Sequence, residues 1–303
     1  MIDKENRIQH IYDKIFKKIL TLSSVAVTNL INGLFDTDYP PQTSAITYNW
    51  TEFHDDRLRK MLADTIVTIN GTDSYHMEAQ MTADKNIVFR VFSYSYGHAD
   101  RTRICEEENW TLRFPEPVVI YLYSASPVPD FHELTLDFGS QGMFTYRVPT
   151  VKFTDVSTEE INSRKMIILI PFALLRVRDL MEKERSPENL EKLSNIINND
   201  IIKSIETNYE LGNITLDDAR RLKRYTKLLY EHLYAHYEEM EAMNDMTDES
   251  LIIDLDIRDE ALKDKEKKID EMLKQLDAKD RQLDAKDAII KSLRQQLADK
   301  TTV

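Results

Sequence analysis

Apolar residues recur at helical spacing at the beginning of the chain. Five of them follow one another at intervals of three or four residues and form one stripe: Ile8, Ile11, Ile15, Ile19 and Leu22. A pair of serines interrupts this pattern, and a second apolar stretch covers 25–34. The prolines at 40 and 41 cannot continue a helix. The pattern therefore predicts two helices followed by a loop.

The spacing changes to that of β-strands between residues 45 and 81. Residues 45–50 predict one strand, and a run rich in β-branched residues at 62–69 ends in the turn dipeptide Asn70-Gly71. Residues 75–81 then alternate, so the two runs predict a hairpin. Helical spacing returns at 86–96.

Four further runs predict strands, at 116–124, 132–138, 143–153 and 165–172. The last of these belongs to the longest apolar run of the chain, 166–175. Ten residues are too short to span a bilayer, so this run predicts a buried strand. The order of strands and helices predicts an α/β fold in which helices flank a mixed sheet.

Helical spacing dominates from residue 187 onward. Ser186 can cap a helix that has Pro187 in its first turn, and Thr215 opens another helix that we expect to run to about 243. Residues 244–250 form a polar linker. We therefore predict three parts: a sheet-containing domain at 1–180, a helical extension at 181–248 and a helical tail at 249–303.

The tail repeats with a period of seven residues. Its apolar heptad positions are Leu255, Leu262, Ile269, Leu276, Leu283, Ile290 and Leu297. This period predicts a coiled coil, although the second seam position is mostly polar. We expect the tail to form a homo-oligomer, and the alternative is a solvated single helix held by charge pairs one turn apart.

Composition narrows the class of protein. The chain has 303 residues, enough for a large core, and its single cysteine, Cys105, excludes a disulfide-stapled fold. A net charge of −13 argues against a general polyanion binder, so contact with nucleic acid would need a local basic patch or metal ions. The N-terminus lacks the apolar segment of a secretory signal, which predicts a cytoplasmic protein without a membrane partner.

The hairpin carries the residues best suited to chemistry. Residues i and i+2 of a strand point to the same face, so Glu78 and Gln80 project together. The turn at Asn70-Gly71 returns this strand beside the one that begins near Asp64. Two carboxylates that converge with a backbone carbonyl provide the oxygen ligands that Mg²⁺ prefers.

This arrangement of Asp64, a hairpin, Glu78-Ala-Gln80 and a helix resembles the PD-(D/E)xK nuclease superfamily. The closer resemblance is to its recombination-promoting nucleases and putative transposases. The sequence Tyr-Asp-Lys-Ile-Phe-Lys at 12–17 is similar to the N-terminal helix of that branch, and 30–35 is similar to the next element. Phe89, Arg90 and Tyr94 match the helix after the Glu-x-Gln strand. The resemblance covers about 6–180.

The resemblance implies a metal-dependent DNA endonuclease linked to recombination or mobile elements, with Mg²⁺ or Mn²⁺ as its cofactor. Asp64 and Glu78 would bind the metal, and Gln80 would position the attacking water. Asp13 would complete the metal shell or orient a bound water. The residues that would contact DNA phosphates are Lys17, Arg90 and Tyr94.

Each candidate also has a purely structural interpretation. Asp64 can simply begin a strand, and Asp13 can form an ordinary helix pair with Lys17. Glu78 and Gln80 can lie on a solvated sheet face. The partner of the Arg90 side chain can be Asp84 or Asp100.

A second hypothesis for function follows from a departure from the superfamily pattern. Gln80 stands where the superfamily has a lysine, and glutamine can orient a water but cannot supply a positive charge. A catalytically degenerate nuclease fold that binds partners through its helical tail fits this difference and the acidic balance of the chain.

Two other clusters favour structural roles. His232 and His236 have the spacing of a shared zinc site but lack a third ligand nearby in the sequence, so a packed helix face is preferred. The basic run at 220–227 can contact phosphates or form a solvated helix, and we favour the solvated helix.

Overall fold

The computed structural model describes residues 2–49, 52–54, 60–62, 65–237 and 240. They belong to one compact unit, Met1–Leu251. The predicted tail at 249–303 lies outside the described residues, so its coiled coil and its self-association stay predictions.

Two N-terminal helices form as the apolar spacing predicts. Helix α1 covers Ile2–Ile19 and helix α2 covers Ser24–Phe35. The Ser23 hydroxyl caps α2 by accepting a hydrogen bond from the backbone N–H of Ala26 at 3.2 Å. The helix ends where Asp36 adopts a left-handed conformation.

Among the described residues, the middle of the chain contains ten strands and one α-helix. The strands are β1 (Ile46–Asn49), β2 (Glu52–His54), β3 (Lys60–Leu62), β4 (Thr65–Ile69), β5 (Asp73–Gln80), β6 (Ile104–Glu106), β7 (Asn109–Thr111), β8 (Glu116–Tyr121), β9 (Phe131–Asp137) and β10 (Met143–Lys152). Helix α3 covers Ile87–Arg101 and lies between β5 and β8 in the sequence. The small hairpins β2–β3 and β6–β7 were not predicted from the sequence.

The central sheet is mixed and has six strands in the order β1-β4-β5-β8-β10-β9. Strands β5, β8 and β10 are parallel, and the other neighbouring pairs are antiparallel. The predicted hairpin is confirmed as β4–β5, with Asn70 and Gly71 both at positive φ in its turn. A parallel pair requires a crossover, which α3 provides between β5 and β8.

Strand β5 is buried on both faces. On the core face of the sheet, Tyr75, Met77 and Ala79 pack in the large apolar core with α1 and α2. The opposite face, which we call the α3 face, receives helix α3 through a smaller core of Ile87, Val91 and Val119. The predicted α/β architecture with a helix-flanked mixed sheet is therefore confirmed.

The expectation of a strand at 165–172 is wrong. This run forms a 3₁₀ helix, Ile167–Val177, that is buried almost throughout. A continuous apolar run has no period that distinguishes a strand from a buried helical segment. Its burial was predicted correctly, and the Leu174 carbonyl accepts a hydrogen bond from the Tyr234 hydroxyl at 2.6 Å.

Short helices complete the described chain. They are α4 (Thr158–Ser163), α5 (Arg178–Lys183), α6 (Pro187–Asn195), α7 (Lys203–Glu210) and α8 (Leu216–Leu233), with a π-helical stretch at Ile196–Ile202. The caps at Ser186 and Thr215 are confirmed. Helix α8 ends ten residues earlier than the predicted 243, because Tyr234 leaves the helical conformation.

Helix α8 joins the two N-terminal helices through hydrogen bonds. Asp218 accepts one from the backbone N–H of Ser23 at 2.8 Å and another from its hydroxyl. Arg221 donates to the backbone carbonyls of Thr21 and Lys18, at the end of α1. Residues on both sides of position 180 pack in one apolar core, while the proposed boundaries at 180 and 248 stay predictions.

No single helix among the described residues has both the length and the apolar composition needed to cross a membrane. One pair of helical segments, Ile11–Ile19 and Ser24–Phe35, has the length and apolar composition of a membrane span when the two are taken together. The two segments are bent by 106° relative to each other.

Candidate functional site

A buried carboxylate lies on the α3 face near the end of β5. Glu78 is 2% exposed, because β4 and β8 flank its strand and α3 covers its face. Its Oε1 atom accepts hydrogen bonds from Arg90 Nε at 2.8 Å and forms an ion pair with Arg90 Nη2 at 2.7 Å. A charge this deeply buried needs such a partner. Helix α3 therefore positions the counter-charge of Glu78.

Gln80 lies beside this ion pair. Its side-chain nitrogen donates to Glu78 Oε1 at 3.1 Å and to the backbone carbonyl of Ala79 at 2.6 Å. The prediction that Glu78 and Gln80 project to the same face of the strand is confirmed. The alternative of a solvated sheet face is wrong, since both side chains are buried.

Arg90 holds two carboxylates from different parts of the chain. Besides Glu78, its Nη1 atom lies 3.4 Å from Asp84, in the loop before α3. The alternative pairing with Asp84 is thus confirmed, whereas Asp100 forms an ion pair with Arg103 instead. The Arg90 side chain remains 31% exposed and so lies at the boundary of the site with solvent.

A line of polar contacts continues along the same interface. The fully buried His76 ring lies 3.0 Å from the Ser95 hydroxyl through Nδ1, and its Nε2 atom has no hydrogen-bond partner among the described residues. Nearer the start of β5, the Ser74 hydroxyl lies 3.1 Å from His98 Nε2. Burial, together with the charges of His98 and Arg90, lowers the pKa of His76 to about 3.

This histidine predicts a loss of stability in mild acid. The native chain keeps His76 neutral, whereas a histidine in the unfolded chain takes up a proton below its ordinary pKa of 6.5. Protonation of His76 in the unfolded chain therefore leaves the free energy of unfolding unchanged above pH 7. It lowers this free energy by about 1.4 kcal/mol per pH unit as the pH drops toward 3. We expect the free energy of unfolding, measured in urea, to fall between pH 7 and pH 5 by about 2 kcal/mol less in His76→Gln than in the wild type. An equal loss in the variant and the wild type would contradict this prediction.

The remaining predicted site residues are distributed differently. Asp64 lies outside the described residues, although it directly precedes Thr65, which pairs with Met77 beside Glu78. Tyr94 is buried, and its ring lies 6.1 Å from that of His76. Asp13 and Lys17 are half-buried on α1. Ile15 and Ile19 of α1 pack in the large core on the core face, while Glu78 points to the α3 face.

Of the two predicted metal ligands, only Glu78 lies among the described residues. Carboxylate oxygen is the right ligand type for Mg²⁺, and Glu78 supplies one such group. Within these residues, no cluster of three histidine, cysteine or acidic side chains is placed to hold a metal ion. The predicted second ligand, Asp64, lies outside them, so the metal site stays a prediction about these two carboxylates.

His232 has a structural role, as favoured from the sequence. The ring of His232 meets the edge of Tyr12 at 6.0 Å, and burial lowers the pKa of this histidine. The favoured solvated helix at 220–227 is only partly correct, because Lys223 of this run is buried and pairs with Glu206 at 2.9 Å.

Sequence reasoning missed the histidine and serine contacts between β5 and α3. The signal was present, because Ser74 and His76 continue the polar alternation of Glu78 and Gln80 toward the start of the strand. Their burial could not be anticipated, since it depends on α3 packing on that face.

The chain was compared with protein-family models, with curated proteins and with solved structures, and no match was found in any of the three comparisons.

Proposed function

We propose that this chain is a metal-dependent DNA endonuclease of the PD-(D/E)xK type that hydrolyses phosphodiester bonds. The observation that carries the proposal is the cluster of Glu78, Gln80 and Arg90 on the α3 face. Ionisable groups that are buried with a specific partner are concentrated at functional sites. The link to recombination or mobile elements rests on the sequence resemblance.

The order of the elements supports the proposal. The hairpin β4–β5, a Glu-x-Gln pair near the end of its second strand, and a helix that begins seven residues later occur in the order of the resemblance. Arg90 of that helix donates a hydrogen bond to Glu78 of that strand, so these two proposed site residues lie in one cluster.

Glu78 and Asp64 would hold the proposed Mg²⁺ or Mn²⁺. Such a cation neutralises charge on a phosphate group and activates water. Gln80, whose amide contacts Glu78, would orient a water by hydrogen bonding. Asp13 remains a proposed member of the site.

The proposed DNA contacts differ in their exposure. The partly exposed Arg90 can reach a phosphate from its position at the boundary with solvent, and guanidinium groups bind phosphates through paired N–H donors. Lys17 remains a proposed contact on α1. Tyr94 is buried, which favours packing against His76 over contact with a phosphate.

A second candidate function is a binding protein with a catalytically degenerate nuclease fold. The observation that favours it is the occupied state of Glu78 Oε1, which accepts from both Arg90 and Gln80. Arg90 and Gln80 together provide hydrogen-bond donors to this oxygen without a metal ion.

Cleavage of supercoiled plasmid by the full chain distinguishes the two functions. The assay compares Mg²⁺, Mn²⁺ and EDTA for the wild type, Asp64→Asn and Glu78→Gln, with Glu133→Gln as a matched control at an exposed ion pair. The nuclease proposal expects metal-dependent cleavage that is lost in the first two variants and retained in the control.

Two other outcomes contradict the proposal in different ways. Unchanged cleavage by Asp64→Asn and Glu78→Gln would show that the active residues lie elsewhere. No cleavage with either metal, from protein with a normal melting transition, would favour the binding protein.

A further inference from the structure

Three nitrogen atoms converge on one oxygen of the Glu78 carboxylate. Its Oε1 atom lies 2.8 Å from Arg90 Nε, 2.7 Å from Arg90 Nη2 and 3.1 Å from Gln80 Nε2. A carboxylate oxygen accepts through two lone pairs, so three donors at these distances use its whole capacity. A cation that takes Oε1 as a ligand must therefore displace at least one of these donors.

The guanidinium of Arg90 opposes a cation by its charge as well as by its position. A Mg²⁺ ion lies about 2.1 Å from a carboxylate oxygen, which would bring it close to the guanidinium at either oxygen of Glu78. Two positive charges at such short range repel each other strongly where little water separates them, and Glu78 is buried. Arg90 and a divalent cation therefore compete for the same carboxylate.

A second carboxylate lies within reach of Arg90. The Nη1 atom is 3.4 Å from Asp84 Oδ2, longer than the about 2.7–2.9 Å of a charge-assisted hydrogen bond. The other oxygen of Asp84 accepts from the backbone N–H of Asn86 at 2.8 Å, which holds this side chain in place. A small movement of the guanidinium would turn the loose contact with Asp84 into a full ion pair.

The exposure of the three charged side chains shows which of them can move. The Glu78 side chain is 3% exposed, whereas those of Arg90 and Asp84 are both 31% exposed. Glu78 belongs to a strand that is buried on both faces, so it stays where it is. The guanidinium of Arg90 lies at the boundary with solvent and can turn toward Asp84 without opening the core.

We propose that Arg90 is an internal counter-ion that closes Glu78 to divalent cations, and that a cation binds when the guanidinium moves to Asp84. The inference rests on the proposed role of Glu78 as a metal ligand and adds a means of regulating that site. The charges fit the exchange. Once Arg90 and Asp84 neutralise each other, the charge of Glu78 is available to the cation.

The exchange determines how tightly a cation binds. The apparent affinity of a ligand is reduced by the fraction of molecules that are competent to bind it, here those in which Arg90 has left Glu78. Removing Arg90 should therefore raise the affinity for a cation. Removing the second acceptor, Asp84, should lower it, because the guanidinium then has no other carboxylate in this cluster.

Calorimetric titration of the full chain with Mn²⁺ alone tests the proposal. We expect the dissociation constant for Mn²⁺ to fall at least about tenfold in Arg90→Ala and to rise about threefold in Asp84→Asn. Arg103→Ala is the matched control, because it removes the same charge from an exposed ion pair beyond the end of α3 and should leave the constant unchanged. The gain in Arg90→Ala should disappear when Glu78→Gln is added.

A second measurement separates competition from a purely structural role of Arg90. Mn²⁺ should raise the melting temperature of Arg90→Ala more than that of the wild type, because the bound cation replaces the missing counter-charge of Glu78. A structural role alone predicts weaker Mn²⁺ binding in Arg90→Ala. Equal or weaker binding in that variant, unchanged binding in Asp84→Asn, or no Mn²⁺ binding by any of the proteins would overturn the proposal.

The titration contains no DNA, so its outcome is independent of the plasmid assay. If the wild type cleaves DNA but the two variants keep its affinity for Mn²⁺, the nuclease stands and the counter-ion role of Arg90 is wrong. If no DNA is cleaved but the two variants shift the affinity in opposite directions, the counter-ion role stands and the nuclease is wrong.

Discussion

Replacing Arg90 with alanine is expected to lower the free energy of unfolding by about 3 kcal/mol. The change removes the guanidinium that donates to Glu78 Oε1 through both Nε and Nη2. Glu78 is then buried with much of its charge uncompensated, and removing one partner of a buried pair is far more damaging than losing a surface pair. Because Arg90 is partly exposed, we expect a loss of unfolding free energy at the lower end of the range for breaking a buried ion pair.

A double-mutant cycle in urea measures this effect. Glu78→Gln keeps the shape of the side chain and removes its charge, so Arg90→Ala should be less harmful in that background, with a coupling of about 2 kcal/mol. Arg103→Ala is the control, because Arg103 and Asp100 form an ion pair that is half exposed on both sides and should contribute less than about 1 kcal/mol. A loss for Arg90→Ala no larger than that of the control would contradict the assignment.

Gly33→Ala is expected to destabilise the chain by about 2–3 kcal/mol, although alanine is the better helix former by about 1 kcal/mol. Gly33 lies inside α2, and an added Cβ would stand 2.4 Å from Met166 Cγ and 2.5 Å from the Arg164 carbonyl oxygen. The methionine side chain can move, but the backbone carbonyl requires a shift of the segment that leads into the 3₁₀ helix. Thermal unfolding followed by circular dichroism should show a clearly lower midpoint.

Gly71→Ala provides the comparison for Gly33. Gly71 occupies the β4–β5 turn at φ +75° with open space around its Cα, so alanine there is strained only by its backbone conformation. We expect a loss of about 1 kcal/mol at this site. If Gly33→Ala were neutral or stabilising, the close approach of α2 to residues 164–166 would be incorrect.

The parts of the fold that the sequence predicts are those specified by local chemistry. Ser23, Ser186 and Thr215 cap helices because their side chains bond to the backbone within three residues. Asn70-Gly71 specifies its turn because these two residues accept positive φ. Such signals do not depend on the rest of the molecule.

The parts that could not be predicted depend on packing between distant segments. The 3₁₀ helix at Ile167–Val177 has one polar residue, Arg176, and a single polar position does not reveal a period. The pairing of Glu78 and Gln80 could be predicted from strand alternation. The choice of Arg90 as the partner of Glu78 could not, because residues twelve apart meet only after α3 has packed on the sheet.

The contacts of Asp218 and Arg221 with the first two helices have a consequence for the order in which the chain folds during synthesis. Ser23 and Asp218 are separated by 195 residues, so the ends of α1 and α2 acquire their partners only after α8 has left the ribosome. At about 5–20 residues per second, that delay is on the order of 10–40 seconds. During this interval Ile15 and Ile19 of α1 lack the part of their apolar core that α8 supplies. The completed packing of the two N-terminal helices therefore depends on a helix that is synthesised late.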